Sequence, residues 1–202
     1  MTRKGHFICL EGLDGSGKST QARFLAERLR KTHKVVLTVE PSYGRIGTFI
    51  RNSYLYGEKR LSSVVEALLF AADRVDHVQN EIIPALEAGK VVVSDRYVYS
   101  SLAYQGAAGL GLEWIEKINV YAIRPDLALF LDVELETVML RLKPRKSVME
   151  NLETQKKVRS FYLDLAKTGL LKRIDGNKAK NEIAEEIFSV VKNFRFPAHS
   201  GF

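Results

Sequence analysis

One stretch of ten residues constrains this chain more than any other. Glu11-Gly12-Leu13-Asp14-Gly15-Ser16-Gly17-Lys18-Ser19-Thr20 directly follows the apolar run Phe7-Ile8-Cys9-Leu10. Gly12-x-x-x-x-Gly17-Lys18-Ser19 has the spacing of a phosphate-binding loop. Glycines let the backbone turn tightly and aim its N–H groups inward, and the helix that follows adds the positive end of its dipole. Gly12, Gly15, Ser16, Gly17 and Thr20 form the cradle, Lys18 reaches the β- and γ-phosphates, and the Ser19 hydroxyl is a ligand for Mg²⁺. The flanks agree with the motif: a buried-strand run precedes it, and an amphipathic pattern (Ala22, Leu25, Ala26, Leu29) follows it. The motif therefore predicts a nucleotide phosphate site.

A chain of 202 residues, 46% hydrophobic and 27% charged, suffices for one sizeable α/β core, and we expect a single domain over residues 1–202. The apolar runs are far shorter than a membrane span, and the first six residues contain no apolar signal segment, so no membrane partner is expected. The single cysteine, Cys9, lies inside the first strand run, which points to a buried thiol and a cytoplasmic, reducing setting.

Near-continuous apolar runs recur at 7–10, 35–39, 91–93 and 127–133, with a weaker one at 170–174. Runs without alternation are strands buried on both faces of a parallel sheet. Helical patterns fall near 18–32, 46–55, 62–88, 98–104, 111–122, 134–142, 147–167 and 179–194. The prediction is a three-layer, doubly wound α/β fold with five parallel strands. Ligands of such folds bind beyond the carboxyl ends of the strands, where Asp14, Glu40 and Asp95 would emerge.

Three further stretches carry chemistry. In Ser94-Asp95-Arg96-Tyr97 a carboxylate and a guanidinium end a strand beside the phosphate loop: Asp95 suits Mg²⁺, and Arg96 suits a phosphate grip. A structural pair capping the strand is the plainer reading. Phe70 and Arg74 are four apart on the 62–88 helix, so a ring and a guanidinium share a face that could stack and hydrogen-bond a nucleobase. That helix carries one apolar stripe at Val64, Leu68, Ala71, Val75, Val78, Ile82 and Leu86 and the start of a second at Val65, Leu69 and Ala72. Two apolar faces suggest a homodimer through the 62–88 helix. Pro144 and the capping-box pattern Ser147–Glu150 leave a short basic loop between two helices, expected to act as a lid at about 142–150.

The net charge of +7 admits nucleic acid or small polyanions as partners. Between Arg141 and Arg159 there are seven basic residues against two acidic ones, with no interleaved aromatics of the kind that stack bases. We read the segment as a phosphate-handling device, with a solvated helix face as the alternative, and expect no nucleic-acid partner. Asp175-Gly176-Asn177-Lys178, after the last strand run, is either an adenine edge or an ordinary turn.

Phe7–Thr20, Glu40-Pro41, Leu68–Arg74, Asp95-Arg96-Tyr97 and Leu102-Ala103-Tyr104-Gln105-Gly106-Ala107 together resemble the thymidylate kinase family, in order and in spacing, from about residue 6 to 175. The resemblance implies transfer of the γ-phosphoryl group of ATP to dTMP, with Mg²⁺ as cofactor. It implies that Asp14 contacts the sugar 3′-hydroxyl, Phe70 stacks on thymine, and Arg74 bonds its O4. Ser101 and Gln105 then line the base, Tyr104 stands against the sugar 2′ position, Arg96 grips the acceptor phosphate, and Tyr43 lies near sugar or phosphate. The chain departs from the family pattern at two points. Ser42 follows Pro41 where an arginine is frequent, so Arg51, with Arg45 next, is assigned to the acceptor phosphate. Gly15 stands where some members carry an arginine, so the catalytic cation is sought in the lid: Arg145 ahead of Lys143, Lys146 and Arg141, with Arg141 able instead to stack on adenine. Another deoxynucleotide or deoxynucleoside kinase is the rival in chemistry; a nucleotide switch or nucleic-acid-binding module is the rival in class.

Overall fold

The six residues of β1 (Phe7–Gly12) are all buried, and they lie at the centre of the sheet. In the computed structural model, which describes residues 4–55, 61–141 and 152–196, five parallel strands run in the order β2-β3-β1-β4-β5. The others are β2 (Val35–Val39), β3 (Val91–Asp95), β4 (Leu127–Asp132) and β5 (Lys172–Asp175). The registers Leu10↔Asp95 and Gly12↔Leu131 bring the carboxyl ends of β1, β3 and β4 together. This is the expected five-stranded, three-layer architecture.

Alternation in β1 explains why both faces need cover. Phe7 and Cys9 join a core with Val92, Phe130 and Tyr162 on one face. Ile8 and Leu10 join the other, with Val93, Leu129 and the inner sides of two helices, α1 (Lys18–Leu29) and α9 (Lys180–Asn193). Cys9 is buried as expected, and burial pushes its thiol well up. On the Phe7 side lie α3 (Ser63–His77), α5 (Val98–Ala107), α6 (Leu112–Ile118) and α8 (Leu152–Lys167). Each fully buried large apolar side chain contributes about 1.5–3 kcal/mol.

The helix boundaries differ from expectation in several places. The 62–88 segment begins with Ser62 as cap, accepting the Val65 N–H, but widens into a π-helical turn at Val78–Ile82 before α4 (Ile83–Glu87). Its buried stripe runs through Ala67, Ala71, Val78, Ile82 and Leu86, whereas Val64, Val65, Leu68 and Ala72 face outward. Val64 and Leu68 therefore belong to the outer face, because Glu66 and Asp73 turn polar contacts inward at the same level. The 46–55 segment is α2 (Arg45–Phe49) continued by a π-helical Ile50–Leu55. α6 ends at Ile118, short of 122, with Val120 and Tyr121 exposed, and α7 is Leu135–Arg141. Among the described residues, no helix is long and apolar enough to cross a membrane.

Candidate active site

The loop between β1 and α1 takes the backbone shape that its glycines permit. Gly12 has φ 146°, and a Cβ there would meet the Leu131 carbonyl oxygen at 2.7 Å. Gly17 (φ 97°) opens α1 with no side-chain cap, so the N–H groups of the first turn remain directed at the loop. Lys18 is buried and its Nζ donates to the Leu13 carbonyl at 2.6 Å. Burial lowers its pKa to about 8, with the Arg96 guanidinium pushing the same way. Ser16, Ser19 and Thr20 complete the loop, and Gly15 sits at φ 79°.

Ser19 Oγ donates to Asp95 Oδ2, while Asp95 Oδ1 is buried without a hydrogen-bond partner. A hydroxyl and an orphaned carboxylate oxygen beside a phosphate cradle fit Mg²⁺, a hard cation that takes few protein oxygens and several from phosphates. Among the described residues no group of three or more His, Cys, Asp and Glu could hold a metal by itself.

Arg96 ties this loop to α5. Its Nη1 donates to the Gly12 carbonyl at 3.1 Å and to Ser100 Oγ at 3.0 Å. Its Nη2 lies 2.5 Å from Asp14 Oδ1 and 3.2 Å from the Tyr104 hydroxyl, which itself donates to Asp14 Oδ2 at 3.0 Å. Burial alone would raise the Asp14 pKa, but Arg96 and Lys18 outweigh it and hold the carboxylate below its usual range. Asp14, Lys18, Ser19, Arg51, Arg96 and Arg141 all border one cavity of about 430 Å³.

Arg74 is the anchor of a second polar cluster, fully inside the protein. Its Nε and Nη2 bond Glu40 Oε2, at 2.9 and 2.7 Å, and its Nη1 donates to Ser101 Oγ at 3.1 Å and to Asn119 Oδ1. Glu40 Oε1 faces His77 Nδ1 at 3.1 Å, and His77 Nε2 lies 2.7 Å from Thr38 Oγ1 and 3.3 Å from Glu81 Oε2. Burial would lower the His77 pKa, but hydrogen bonds to Glu40 and Glu81 prevail and raise it to about 9. Phe70, half-buried, sits one turn before Arg74 on α3. Gln105 on α5 donates to Glu66 Oε1 at 3.0 Å, and its own Oε1 is buried without a partner. Thus Ser101, Tyr104 and Gln105 on α5 and Phe70 and Arg74 on α3 come together as facing elements.

The remaining candidates are less closely gathered. Arg51 borders the phosphate cavity, but its Nη groups donate to the Pro41 and Ser42 carbonyls and its cation lies 4.7 Å from the Tyr43 ring centre. Tyr43 itself is 78% exposed, and Arg45 is exposed and does not border the cavity. Arg141 approaches the loop, with Nη1 3.5 Å from the Ser16 carbonyl. Arg145, Lys143 and Lys146, and the lid expected at about 142–150, lie outside the described residues. Arg159, counted in the basic segment, instead pairs with Asp132 at 2.7 Å and with Glu134 at 3.0 Å. Residues 175–178 form a local turn: Asp175 accepts the Asn177 N–H, and Asn177 Oδ1 accepts that of Glu134.

Several site residues received no role from the sequence. Glu11, fully buried, accepts the Tyr97 N–H and the hydroxyls of Ser100 and Tyr162. Burial raises its pKa to about 7, against the opposing pull of those donors. Asp73 accepts the Ser42 N–H and hydroxyl, and so secures the turn after Pro41. The available signal was a carboxylate ending a wholly apolar run for Glu11, and the Asp-Arg pair on the helix for Asp73.

A larger cleft of about 870 Å³ opens at the amino-terminal ends of β4 and β5, away from every phosphate-loop residue. The family model for thymidylate kinase matches residues 10–187. A probable thymidylate kinase of Pyrococcus abyssi is 48% identical over 200 residues, covering 94% of this chain and 97% of the relative. One from Thermococcus onnurineus is 51% identical over 171 residues, covering 79% and 83%, and one from Pyrobaculum calidifontis 40% over 188, covering 92% and 95%. A family model matched over residues 10–187 and relatives 40–51% identical over most of their length show that this chain belongs to the thymidylate kinase family.

Proposed function

We propose that the protein transfers the γ-phosphoryl group of Mg·ATP to dTMP, giving dTDP and ADP. The observation that carries this reading is the Arg96 guanidinium, which spans from the phosphate loop at Gly12 and Asp14 to Tyr104 on α5. A cation at that point sits between a donor phosphate chain and an acceptor phosphate. Phosphoryl transfer requires positioning and charge neutralisation more than a base, since the attacking phosphate oxygen is already largely ionised. Lys18 and the first-turn N–H groups of α1 hold the ATP phosphates, and Arg96 orients the acceptor. Bound Mg²⁺, held through Ser19 and Asp95, supplies neutralisation of the phosphate oxygens. A lid cation, assigned to Arg145, adds to it, and Arg141 serves the ATP side.

On the acceptor side, Phe70 stacks on the base and Arg74 reads O4, with Ser101 and Gln105 beside them. Tyr104 closes the space at the sugar 2′ position, Asp14 takes the 3′-hydroxyl, and Arg51 and Tyr43 lie near the phosphate. The relatives' names support the substrate. A panel of dTMP, dUMP, dCMP and thymidine, followed by ADP release, tests it. Turnover with dTMP well above the rest is expected; preference for another acceptor would favour a different deoxynucleotide or deoxynucleoside kinase. Lys18→Ala should lower kcat by about 10²–10³-fold, the scale seen when one preorganised charge-stabilising group is removed. Near wild-type ATP-dependent phosphorylation in a folded variant would end this reading.

The outward apolar face of α3, with Val64, Val65 and Leu68 each 44–47% exposed, supports a homodimer through that helix. The buried Cys9 is compatible with a cytoplasmic setting.

A further inference from the structure

Arg96 stands in a conformation that its own side chain does not require. Among the described residues it is the one non-glycine with positive φ, at 73°. Such a backbone is strained in an L-residue and persists only where the surroundings over-determine it. Three hydrogen bonds surround it: Arg96 N–H to the Leu10 carbonyl at 2.9 Å, Ser94 Oγ to the Arg96 carbonyl at 2.6 Å, and Tyr97 N–H to Glu11 Oε1 at 2.9 Å. The other oxygen of the same carboxylate accepts Ser100 Oγ–H at 2.6 Å and the Tyr162 hydroxyl of α8 at 3.1 Å. Ser100 has one proton. Directed at Glu11, it leaves the serine lone pairs facing Arg96 Nη1 at 3.0 Å.

We propose that Glu11 is a positioning residue for Arg96, holding its strained backbone through Tyr97 N–H and its guanidinium through Ser100. The inference rests on the reading of Arg96 as the acceptor-phosphate ligand. An amide cannot replace this carboxylate. One orientation of a glutamine sets its NH₂ against the Tyr97 N–H; the other makes the Ser100 and Tyr162 oxygens accept from the NH₂ and so reverses both hydroxyl bonds. In the second case the Ser100 proton leaves the position 11 side chain for the Tyr162 oxygen at 2.9 Å or for the side facing the guanidinium, and the serine no longer presents Arg96 with the lone pairs that Glu11 fixes. The effect differs from plain loss of stability, because ATP meets Lys18 and the α1 terminus, and Lys18 is positioned by the Leu13 carbonyl and Ser16 and not by a bond to Glu11.

The test compares wild type with Glu11→Gln, Ser100→Ala and the double variant. It measures kcat with ATP and dTMP, ATP Kd by direct titration, and the ¹⁵N NMR signals of the Arg96 Nη groups. Separate Nη signals report a locked guanidinium; a single averaged signal reports free rotation. The expectation for Glu11→Gln is a kcat at least about tenfold lower, ATP Kd within about threefold, and averaged Arg96 signals. Ser100→Ala should lower kcat less, and the double variant should be no worse than Glu11→Gln, since both act through one linkage. A kcat within about twofold of wild type in folded Glu11→Gln, unchanged Arg96 signals, or effects that multiply would each overturn the proposal. Should Glu11→Gln not fold, Ser100→Ala and Tyr162→Phe decide: unchanged kcat and Arg96 signals in both reject it, and averaged signals in Ser100→Ala sustain it. If wild type turned over no dTMP, the substrate reading would fail on its own, and the Arg96 signals, which need no substrate, would still decide this one.

Discussion

His77 shows how a residue with no outward sign of function comes to matter. Its imidazolium lies between the carboxylates of Glu40 and Glu81, and Glu40 in turn holds Arg74, so two buried cations and two acids balance one another. An unpaired guanidinium at that depth would be strongly destabilising, by about 3–5 kcal/mol if one partner were removed. The His77 pKa is raised from 6.5 to about 9, so the folded state holds more protons than the unfolded chain in that window. The associated stability is fully present below pH 6.5 and is lost as pH rises through 9, on the order of 3 kcal/mol in total. Lys18, lowered to about 8, shifts stability the opposite way at alkaline pH. The measurement is therefore a difference: urea midpoints of wild type and His77→Gln, compared across that range. The wild-type advantage should shrink as pH rises; a constant gap would contradict the assignment. None of this was legible beforehand, because Thr38 and Glu40 lie at the end of β2 and His77 and Glu81 nearly forty positions on, and no local periodicity records their meeting. Glu11 and Asp73 were hidden for the same reason, with partners 31 to 151 positions away.

Element by element, the sequence was most legible where burial is two-sided. The runs at 7–10 and 91–93 became β1 and β3, buried throughout, because continuous apolar stretches are most stable in a sheet covered on both faces, and the run at 35–39 became β2, a part-buried edge strand. Helix ends were less legible. The widened turns at Ile50–Leu55 and Val78–Ile82 leave the 3.6-residue period intact to the eye yet shift which side chains turn inward. The approach between α2 and the turn after Pro41 was equally unreadable. Gly47 sits where a Cβ would lie 2.1 Å from the Ser42 carbonyl oxygen and 2.7 Å from Asp73 Oδ1. Backbone cannot retreat as a flexible side chain can, so Gly47→Ala should displace the turn that Asp73 holds and that Arg51 also bonds. We expect a destabilisation of about 1–3 kcal/mol, the usual cost of overpacking, together with a raised KM for dTMP. Thermal melts and initial rates read the two effects, and a variant indistinguishable from wild type in both would show the contact to be soft.

For the molecule as a whole, the site divides as the sheet does. The residues proposed to handle phosphate gather at the carboxyl ends of β1 and β3, and those proposed to meet the base lie on the facing helices α3 and α5. The sequence motifs mark each group on a contiguous stretch, but they did not disclose that Arg96 links the loop at Gly12 and Asp14 to Tyr104 on α5. The outer face of α3 adds a prediction at this scale. Leu68→Glu puts a charge into an apolar face that is 47% exposed at that position. It should convert a dimer to a monomer in light scattering while changing monomer stability by no more than about 0.5 kcal/mol. A wild type already monomeric at working concentration, or a variant still dimeric, would remove α3 as the interface. The left-handed backbone at Arg96 has a different consequence, for selection. Glycine would relieve that conformation, but it would also leave the Asp14 carboxylate without the guanidinium it faces, so relief of strain and loss of an ion pair oppose each other at one codon. A screen for heat resistance alone would therefore gain little by the exchange, whereas a screen for phosphoryl transfer would discard it.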